Sequence, residues 1–205
     1  MLNSNSFLST IPKLRKGDKT PSPFTRQERD EICGAFEESP HYNYYAPLIR
    51  FLFFTGARPS EAVGLQWKCI DRSLNFITFS QAWVAGEFKD TKTHKSRRFP
   101  INNAVKTLLL EIRPRSVKPN DLVFPSKTGL VVDPHNLSNR AWKKILSSLG
   151  HIQYRKLYCT RHTFISVCLE EGVPVNIISG WVGNCPSTIW KSYAGVVSPV
   201  PVPEP

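Results

Sequence analysis

With 205 residues, 40% of them hydrophobic, the chain is long enough for one substantial core and too short for two full domains. Lys and Arg number 27 against 16 Asp and Glu, so the net charge is +11; this points to a polyanionic partner, nucleic acid first, although a merely basic soluble protein shares the profile. The N-terminus carries no secretory pattern and the longest apolar run, 46–54, is broken by Arg50, so secretion and membrane insertion drop out and a cytoplasmic protein is expected. Five scattered cysteines without C-x-x-C spacing (Cys33, Cys69, Cys159, Cys168, Cys185) argue against a disulfide framework or a zinc ribbon, and no histidine pattern offers a metal its ligands; neither metal nor cofactor is expected.

In chain order, residues 1–21 are polar and basic, with Lys13, Arg15, Lys16 and Lys19, and read as a flexible arm or linker able to lie along DNA. From Phe24 the pattern turns helical: Thr25 with Glu28 forms a capping box, and Ile32, Ala35 and Phe36 continue an apolar face. A second helix is predicted over Tyr44 to Thr55, closed by Gly56, and Pro59 opens a third through Leu65. Between Ile70 and Ile101 the period changes to alternation, as in Phe76 to Ser80, which predicts a small antiparallel sheet. Helices return at Ala104 to Ile112, His135 to Leu149, Thr160 to Gly172 and Val175 to Val182, and a last one carries Ile189, Trp190 and Tyr193. Residues 197–205 are a Pro-rich extended tail. The class is therefore α+β, mainly helical with a small antiparallel β-sheet.

Three stretches carry more than class. In Thr55-Gly56-Ala57-Arg58-Pro59-Ser60-Glu61 a glycine ends one helix and an arginine stands just before the next, which aims Arg58 and free backbone N–H groups into one pocket suited to a phosphate oxygen. Tyr158-Cys159-Thr160-Arg161-His162 again puts an arginine in the first turn of a helix. Gly180-Trp181-Val182-Gly183-Asn184 is followed nine residues on by Tyr193.

The blocks T-G-A-R-P-S-E-A-V-G-L-Q-W, T-R-H-T-F and G-W-V-G-N … W-K-S-Y-A-G, in this order over residues 22–196, resemble the successive motifs of the tyrosine recombinase (phage integrase) catalytic domain. Each is weak alone; together and in order they are specific. The resemblance implies the DNA breaking-rejoining fold and strand exchange on duplex DNA through a 3′-phosphotyrosine, integrating or excising a mobile element. By position it makes Arg58 and Arg161 the two catalytic arginines and Tyr193 the nucleophile, and it makes Lys92, in Thr91-Lys92-Thr93, the lysine of the family's β-hairpin turn, with Lys95 the competing assignment. Glu61 is expected to orient an arginine. Two guanidiniums suit the extra charge of a phosphorane-like state, tyrosine is both nucleophile and leaving group, and an ammonium can protonate the departing 5′ oxygen.

The sequence departs from the family's pattern at two site positions: Tyr158 stands where histidine is usual, and Asn184 where histidine or tryptophan is usual. Both can donate a hydrogen bond to a phosphate oxygen, and neither shuttles a proton near neutral pH, so proton removal from Tyr193 is expected to be slower or differently arranged. The resemblance also implies a helical core-binding domain ahead of the catalytic domain, whereas a short basic arm precedes Phe24; a fragment, or action without that clamp, is expected. A homo-oligomer, a tetramer on DNA, and nucleoid association through DNA are further implications.

Plainer readings stand beside these. Arg58 can cap a helix, Tyr193 can be a packed aromatic, and Lys92 can be a solvated turn residue among Lys89, Lys95, Arg97 and Arg98, which together form a candidate DNA-contacting patch. His162 reads as structural, Trp67, Trp142 and Trp181 as core, and Trp190 as a support for the Tyr193 helix. A non-enzymatic DNA-binding remnant of a recombinase is the alternative function.

Overall fold

The computed structural model describes residues 22–90 and 96–193. The expected arm at 1–21, Lys92 and Lys95, and the Pro-rich tail lie outside the described residues.

Helix α1, Arg26–Glu38, starts at Thr25, whose hydroxyl accepts from Glu28 N–H while the Glu28 carboxylate accepts from Thr25 N–H, as the sequence predicts. A 3₁₀ turn at Asn43–Tyr45 leads into α2, Ala46–Thr55, and Gly56 closes it at φ 61. That left-handed cap reverses the chain within a few residues and delivers Arg58 to the N-cap of α3, Pro59–Val63. At Gly56 a Cβ would lie 2.6 Å from Phe164 Cδ1, so the glycine is also what lets this junction approach the later helix that carries Phe164.

The expected sheet is two separate ladders. Strands β1, Phe76–Phe79, and β4, Arg97–Pro100, pair antiparallel with Ile77 opposite Phe99. Strands β2, Gln81–Val84, and β3, Glu87–Asp90, form a hairpin with Trp83 opposite Phe88. Its turn, Ala85-Gly86, has φ 55 and 84, the two left-handed residues of a tight hairpin turn. The first ladder buries Ile77, Phe79 and Phe99; the hairpin strand β3 is exposed throughout.

Helix α4 is Asn103–Ile112. A short helix α5, Pro134–Asn136, runs through a π-helical stretch at Leu137–Trp142 into α6, Lys143–Ser148, so the single helix expected there carries a wide turn that seats Trp142 in the core. Helices α7, Cys159–Glu170, α8, Val175–Val182, and α9, Pro186–Tyr193, complete the fold.

The core runs through the whole assembly. Trp142 lies among Phe24, Phe36 and Phe53, with ring centroids about 6 Å apart, and Phe51, Phe79, Phe99 and Phe164 extend the cluster towards β4 and α7. Helix α7 is central: eight of its residues are buried, among them Thr160, Arg161, Thr163 and Ser166, so no single face is apolar. Trp67 and Trp142 are core; Trp181 is half-buried against Phe99, and Trp190 is half-exposed. Among the described residues no helix is long and apolar enough to cross a membrane.

Candidate active site

Three chain reversals converge at one place: the α2–α3 junction, the first turn of α7, and the α8–α9 junction. Arg58 comes from the first, and its backbone N–H donates to Glu61 Oε2 at 2.8 Å while its Nη1 donates to Glu61 Oε1 at 2.8 Å. Its Nη2 reaches across to Gly183 O at 2.9 Å and to Asn184 Oδ1 at 3.5 Å. Gly183 caps α8 at φ 67, which turns Asn184 back towards the arginines.

Arg161, in the first turn of α7, is buried at 1% exposure. Its Nη1 donates to Gly56 O at 2.7 Å, and its Nη2 donates to Val182 O at 2.5 Å and Asn184 Oδ1 at 3.0 Å. Nε has no hydrogen-bond partner. Burial, together with the nearby charges of Arg58 and Arg97, lowers its pKa to about 10, against the opposing pull of Tyr158 and Glu61; it stays cationic at neutral pH. Both guanidiniums therefore share Asn184 Oδ1, an oxygen standing between two cations.

Glu61 is 2% exposed and takes two arginines. Arg97 donates to both of its oxygens, Nη1 to Oε1 at 2.8 Å and Nη2 to Oε2 at 2.7 Å, and its Nε donates to Trp181 O at 2.8 Å. Burial acts to raise the Glu61 pKa, and the hydrogen bonds and charge of Arg97 and Arg58 outweigh it, leaving the carboxyl below its ordinary value. Two guanidiniums thus hold the one carboxylate while Arg161 bonds elsewhere in the same cluster, so three cations stand against one anion and the site carries a net positive charge at neutral pH.

Tyr193 lies in α9 and is 4% exposed. Its hydroxyl is hydrogen-bonded to His162 Nδ1. The ring of His162 is packed edge-on by Tyr158, with centroids 5.5 Å apart, and lies 6.0 Å from the Tyr193 ring. Burial pushes the Tyr193 phenol well above its ordinary value although Arg161 pulls it down, and burial followed by the charge of Arg161 pushes His162 below its own.

The structure joins Arg58, Glu61, Arg161 and Asn184 by direct hydrogen bonds, and it groups Tyr158, His162 and Tyr193 beside them. Of the basic patch, Arg97 is 10% exposed in its side chain and belongs to the Glu61 pair, so its guanidinium is turned inward. Lys89 lies on exposed β3 with its ammonium 3.8 Å from Glu87, and Arg98 is exposed with its guanidinium 4.1 Å from the centre of the Phe76 ring. His162, read from the sequence as structural, touches the candidate nucleophile. Helical phase was the available signal: Tyr158 and His162 are one turn apart, so they share a face with each other beside Arg161. A groove of about 840 Å³ between α1 and α6, lined by Tyr42, Arg140 and Lys143, shares no residue with this cluster. Among the described residues no group of three or more His, Cys, Asp or Glu side chains is placed to hold a metal ion.

Residues 23–194 match the model of the phage integrase family. The chain belongs to the phage integrase family. It is 29% identical over 204 aligned positions to a tyrosine recombinase XerC-like protein of Caldanaerobacter subterraneus subsp. tengcongensis, covering 82% of this chain and 52% of that one. It is 30% identical to the prophage integrase IntF of Escherichia coli over 71% of this chain and 29% of that one. The chain thus spans about half or less of the length of these two relatives. Among solved structures, the Tn1549 transposon integrase in complex with a circular intermediate DNA superposes with a TM-score of 0.75 at 16% identity, over 88% of this chain and 63% of that one. The catalytic domain of bacteriophage HP1 integrase superposes with a TM-score of 0.60 at 17% identity, over 86% of this chain and 88% of that one. The phage integrase family membership and the tyrosine recombinase catalytic fold expected from the motifs therefore hold.

Proposed function

We propose that residues 22–196 form the catalytic domain of a site-specific DNA recombinase, which cleaves and rejoins duplex DNA through a 3′-phosphotyrosine on Tyr193. The observation that carries the reading is the shared oxygen of Asn184: two arginines from separate helix junctions already converge on one acceptor, the arrangement a non-bridging phosphate oxygen needs. The Tn1549 integrase and the XerH recombinase, which share the fold, were solved bound to DNA, and duplex DNA is the partner proposed here.

In this reading a phosphate displaces Asn184 Oδ1, and Arg58 and Arg161 take the developing charge of the pentavalent state. Asn184, turned about its side chain, can offer its amide N–H to the same group, and Tyr158 its hydroxyl. Attack by the Tyr193 oxygen forms the Tyr–O–P bond as the P–O5′ bond breaks, and Lys92 supplies a proton to the 5′ oxygen, with Lys95 the alternative donor. The phosphotyrosine conserves the bond for rejoining. Glu61 and Arg97 hold the clamp, while Lys89 and Arg98 contact backbone phosphates outside it. Exchange between two duplexes would use more than one copy, a tetramer on DNA being the assembly implied.

The test is covalent capture. Labelled duplex fragments from the DNA flanking its own gene are incubated with the protein and with Tyr193→Phe, then denatured; label retained on the protein in a Tyr193-dependent way is the expected result. One observation favours the alternative of a DNA-binding remnant: Tyr193 is buried with its hydroxyl engaged, and the Arg161 terminal N–H groups are spent on protein acceptors. Salt-sensitive DNA binding without any adduct would select that alternative.

A further inference from the structure

Within the proposed site one step has no obvious agent. Tyr193 must lose its hydroxyl proton as its oxygen attacks phosphorus. Tyr158 and Asn184, which occupy two of the positions around the arginines, carry no group that takes up a proton near neutral pH. A phenol held above its ordinary pKa by burial is a weak nucleophile unless an acceptor removes the proton during attack.

We propose that His162 is the proton acceptor for Tyr193, receiving the phenolic proton on Nδ1 as the Tyr193 oxygen attacks the phosphate. Three observations carry this. The contact already exists: His162 Nδ1 is hydrogen-bonded to the Tyr193 hydroxyl. The three other described histidines are engaged elsewhere, His41 against Tyr42, His135 with Asn139 and His151 with Glu31. And His162 adjoins Arg161 on the buried first turns of α7, so the proton acceptor and one jaw of the phosphate clamp are held in fixed relation by the same helix.

The electrostatics suit the role. The ring is half-buried against Tyr158 and Tyr193; the loss of water, followed by the charge of Arg161, disfavours a protonated imidazole, so the ring is neutral at pH 7 and Nδ1 is free to accept. The neighbouring elements add little to this balance. Cys159 lies on the same helix with its thiol pushed above its ordinary value, α8 has no titratable side chain, and on α9 Lys191 is exposed. The step balances: the O–H bond of Tyr193 breaks and an N–H bond forms on His162, Tyr–O–P forms, and P–O5′ breaks with a proton supplied to the 5′ oxygen. On rejoining, the imidazolium returns its proton to the departing phenolate. Tyr158 packs T-shaped against the same ring, with centroids 5.5 Å apart.

The inference rests on the recombinase reading, and two measurements keep their failures apart. The first needs no DNA: ¹⁵N spectra of the histidine side chains in the whole protein and in Tyr193→Phe. The expected result is a His162 that is neutral with its proton on Nε2, whose Nδ1 resonance changes on removal of the Tyr193 hydroxyl. A proton on Nδ1, making the ring the donor to the phenol, overturns the proposal. The second compares adduct formation by the wild type and by His162→Asn, whose amide oxygen can accept the hydrogen bond but not the proton. Expected are unchanged salt-sensitive DNA binding and unfolding midpoint, a Tyr193-dependent adduct slowed by about 100-fold, and loss of the acid limb of the pH–rate profile. A variant that cleaves within a few-fold of wild type with the acid limb intact overturns the proposal. Absence of adduct from the wild type instead defeats the recombinase reading, and the tautomer measurement then still decides which partner holds the proton.

Discussion

Arg97 on β4 and Glu61 on α3 form a two-pronged ion pair, with both carboxylate oxygens held at 2.7 to 2.8 Å, and through it the strand, the Arg58 junction and the end of α8 become one rigid unit. The same carboxylate takes the Arg58 guanidinium, so Glu61 is the counter-charge on which the clamp is built. Glu61→Gln leaves the buried Arg97 guanidinium and the part-exposed Arg58 facing a neutral amide and is expected to destabilise the fold by about 3 kcal/mol, read as a lower denaturant midpoint with the same slope. Arg97→Lys loses the second N–H of the fork and should fall between wild type and that variant.

The same pair sets a pH dependence. Because the Glu61 carboxyl is held below its ordinary pKa of 4.5 in the folded state, its contribution is fully present above that value. It is lost as pH falls below 4.5 towards the folded pKa, where protonation breaks the pairing. Wild-type stability should therefore drop in that acid window, and Glu61→Gln should show a shallower drop there; equal slopes would remove Glu61 as the cause.

Gly56 tests the geometry of the clamp rather than its charge. At φ 61 an alanine is strained, and its Cβ would stand 2.6 Å from Phe164 Cδ1 and 3.1 Å from Phe164 Cβ, atoms close to the backbone of α7 that cannot swing away. Gly56→Ala should cost about 2 kcal/mol or more. It should also disturb Arg161, whose Nη1 bonds to the Gly56 carbonyl. A denaturant melt of Gly56→Ala beside the wild type reads this cost; an unchanged midpoint would show that neither the close approach nor the φ strain costs anything.

Much of this was legible in the residues. The capping box at Thr25, the glycine stop at Gly56 and the proline start at Pro59 are local signals, and each element forms where they put it. The site's convergence followed from motif order, since Arg58, Arg161 and Asn184 meet directly. What stayed hidden depended on three-dimensional pairing. Arg97 and Arg98 are neighbours of identical type in one strand, and alternation sends one guanidinium in to Glu61 and the other out over Phe76; which is which is set by the register of β4 against β1. The split into two ladders, and the π turn that seats Trp142, are likewise tertiary adjustments with no local code. The contact between His162 and Tyr193 was hidden too, because the two lie 31 residues apart on different helices and only the docking of those helices brings them together.

Asn184 offers a way to probe the clamp without touching either arginine. Its Oδ1 stands where a phosphate oxygen is proposed to bind, so Asn184→Asp puts a carboxylate between Arg58 and Arg161 and should compete with DNA for them. Loss of one charge-assisted contact corresponds to about 1.5 to 3 kcal/mol, so the Asp variant should bind duplex DNA roughly ten- to a hundredfold more weakly than Asn184→Ala at the same salt. If the two variants bind alike, the phosphate does not use that position.

Register also divides the basic residues by what salt will reveal. Each cation that neutralises a DNA phosphate adds about 0.9 to the slope of log affinity against log salt. Lys89 and Arg98 are exposed, and Lys89→Ala or Arg98→Ala should each lower that slope by about 1 with the fold unaffected. Arg97 has its N–H groups committed to Glu61 and Trp181, so Arg97→Ala should lower the unfolding midpoint instead, and at a temperature where it stays folded its salt slope should match the wild type. Titrations at several salt concentrations, run beside denaturant melts on the same three variants, separate the two outcomes. A reduced slope for Arg97→Ala with unchanged stability would mean that the guanidinium leaves Glu61 for the DNA backbone.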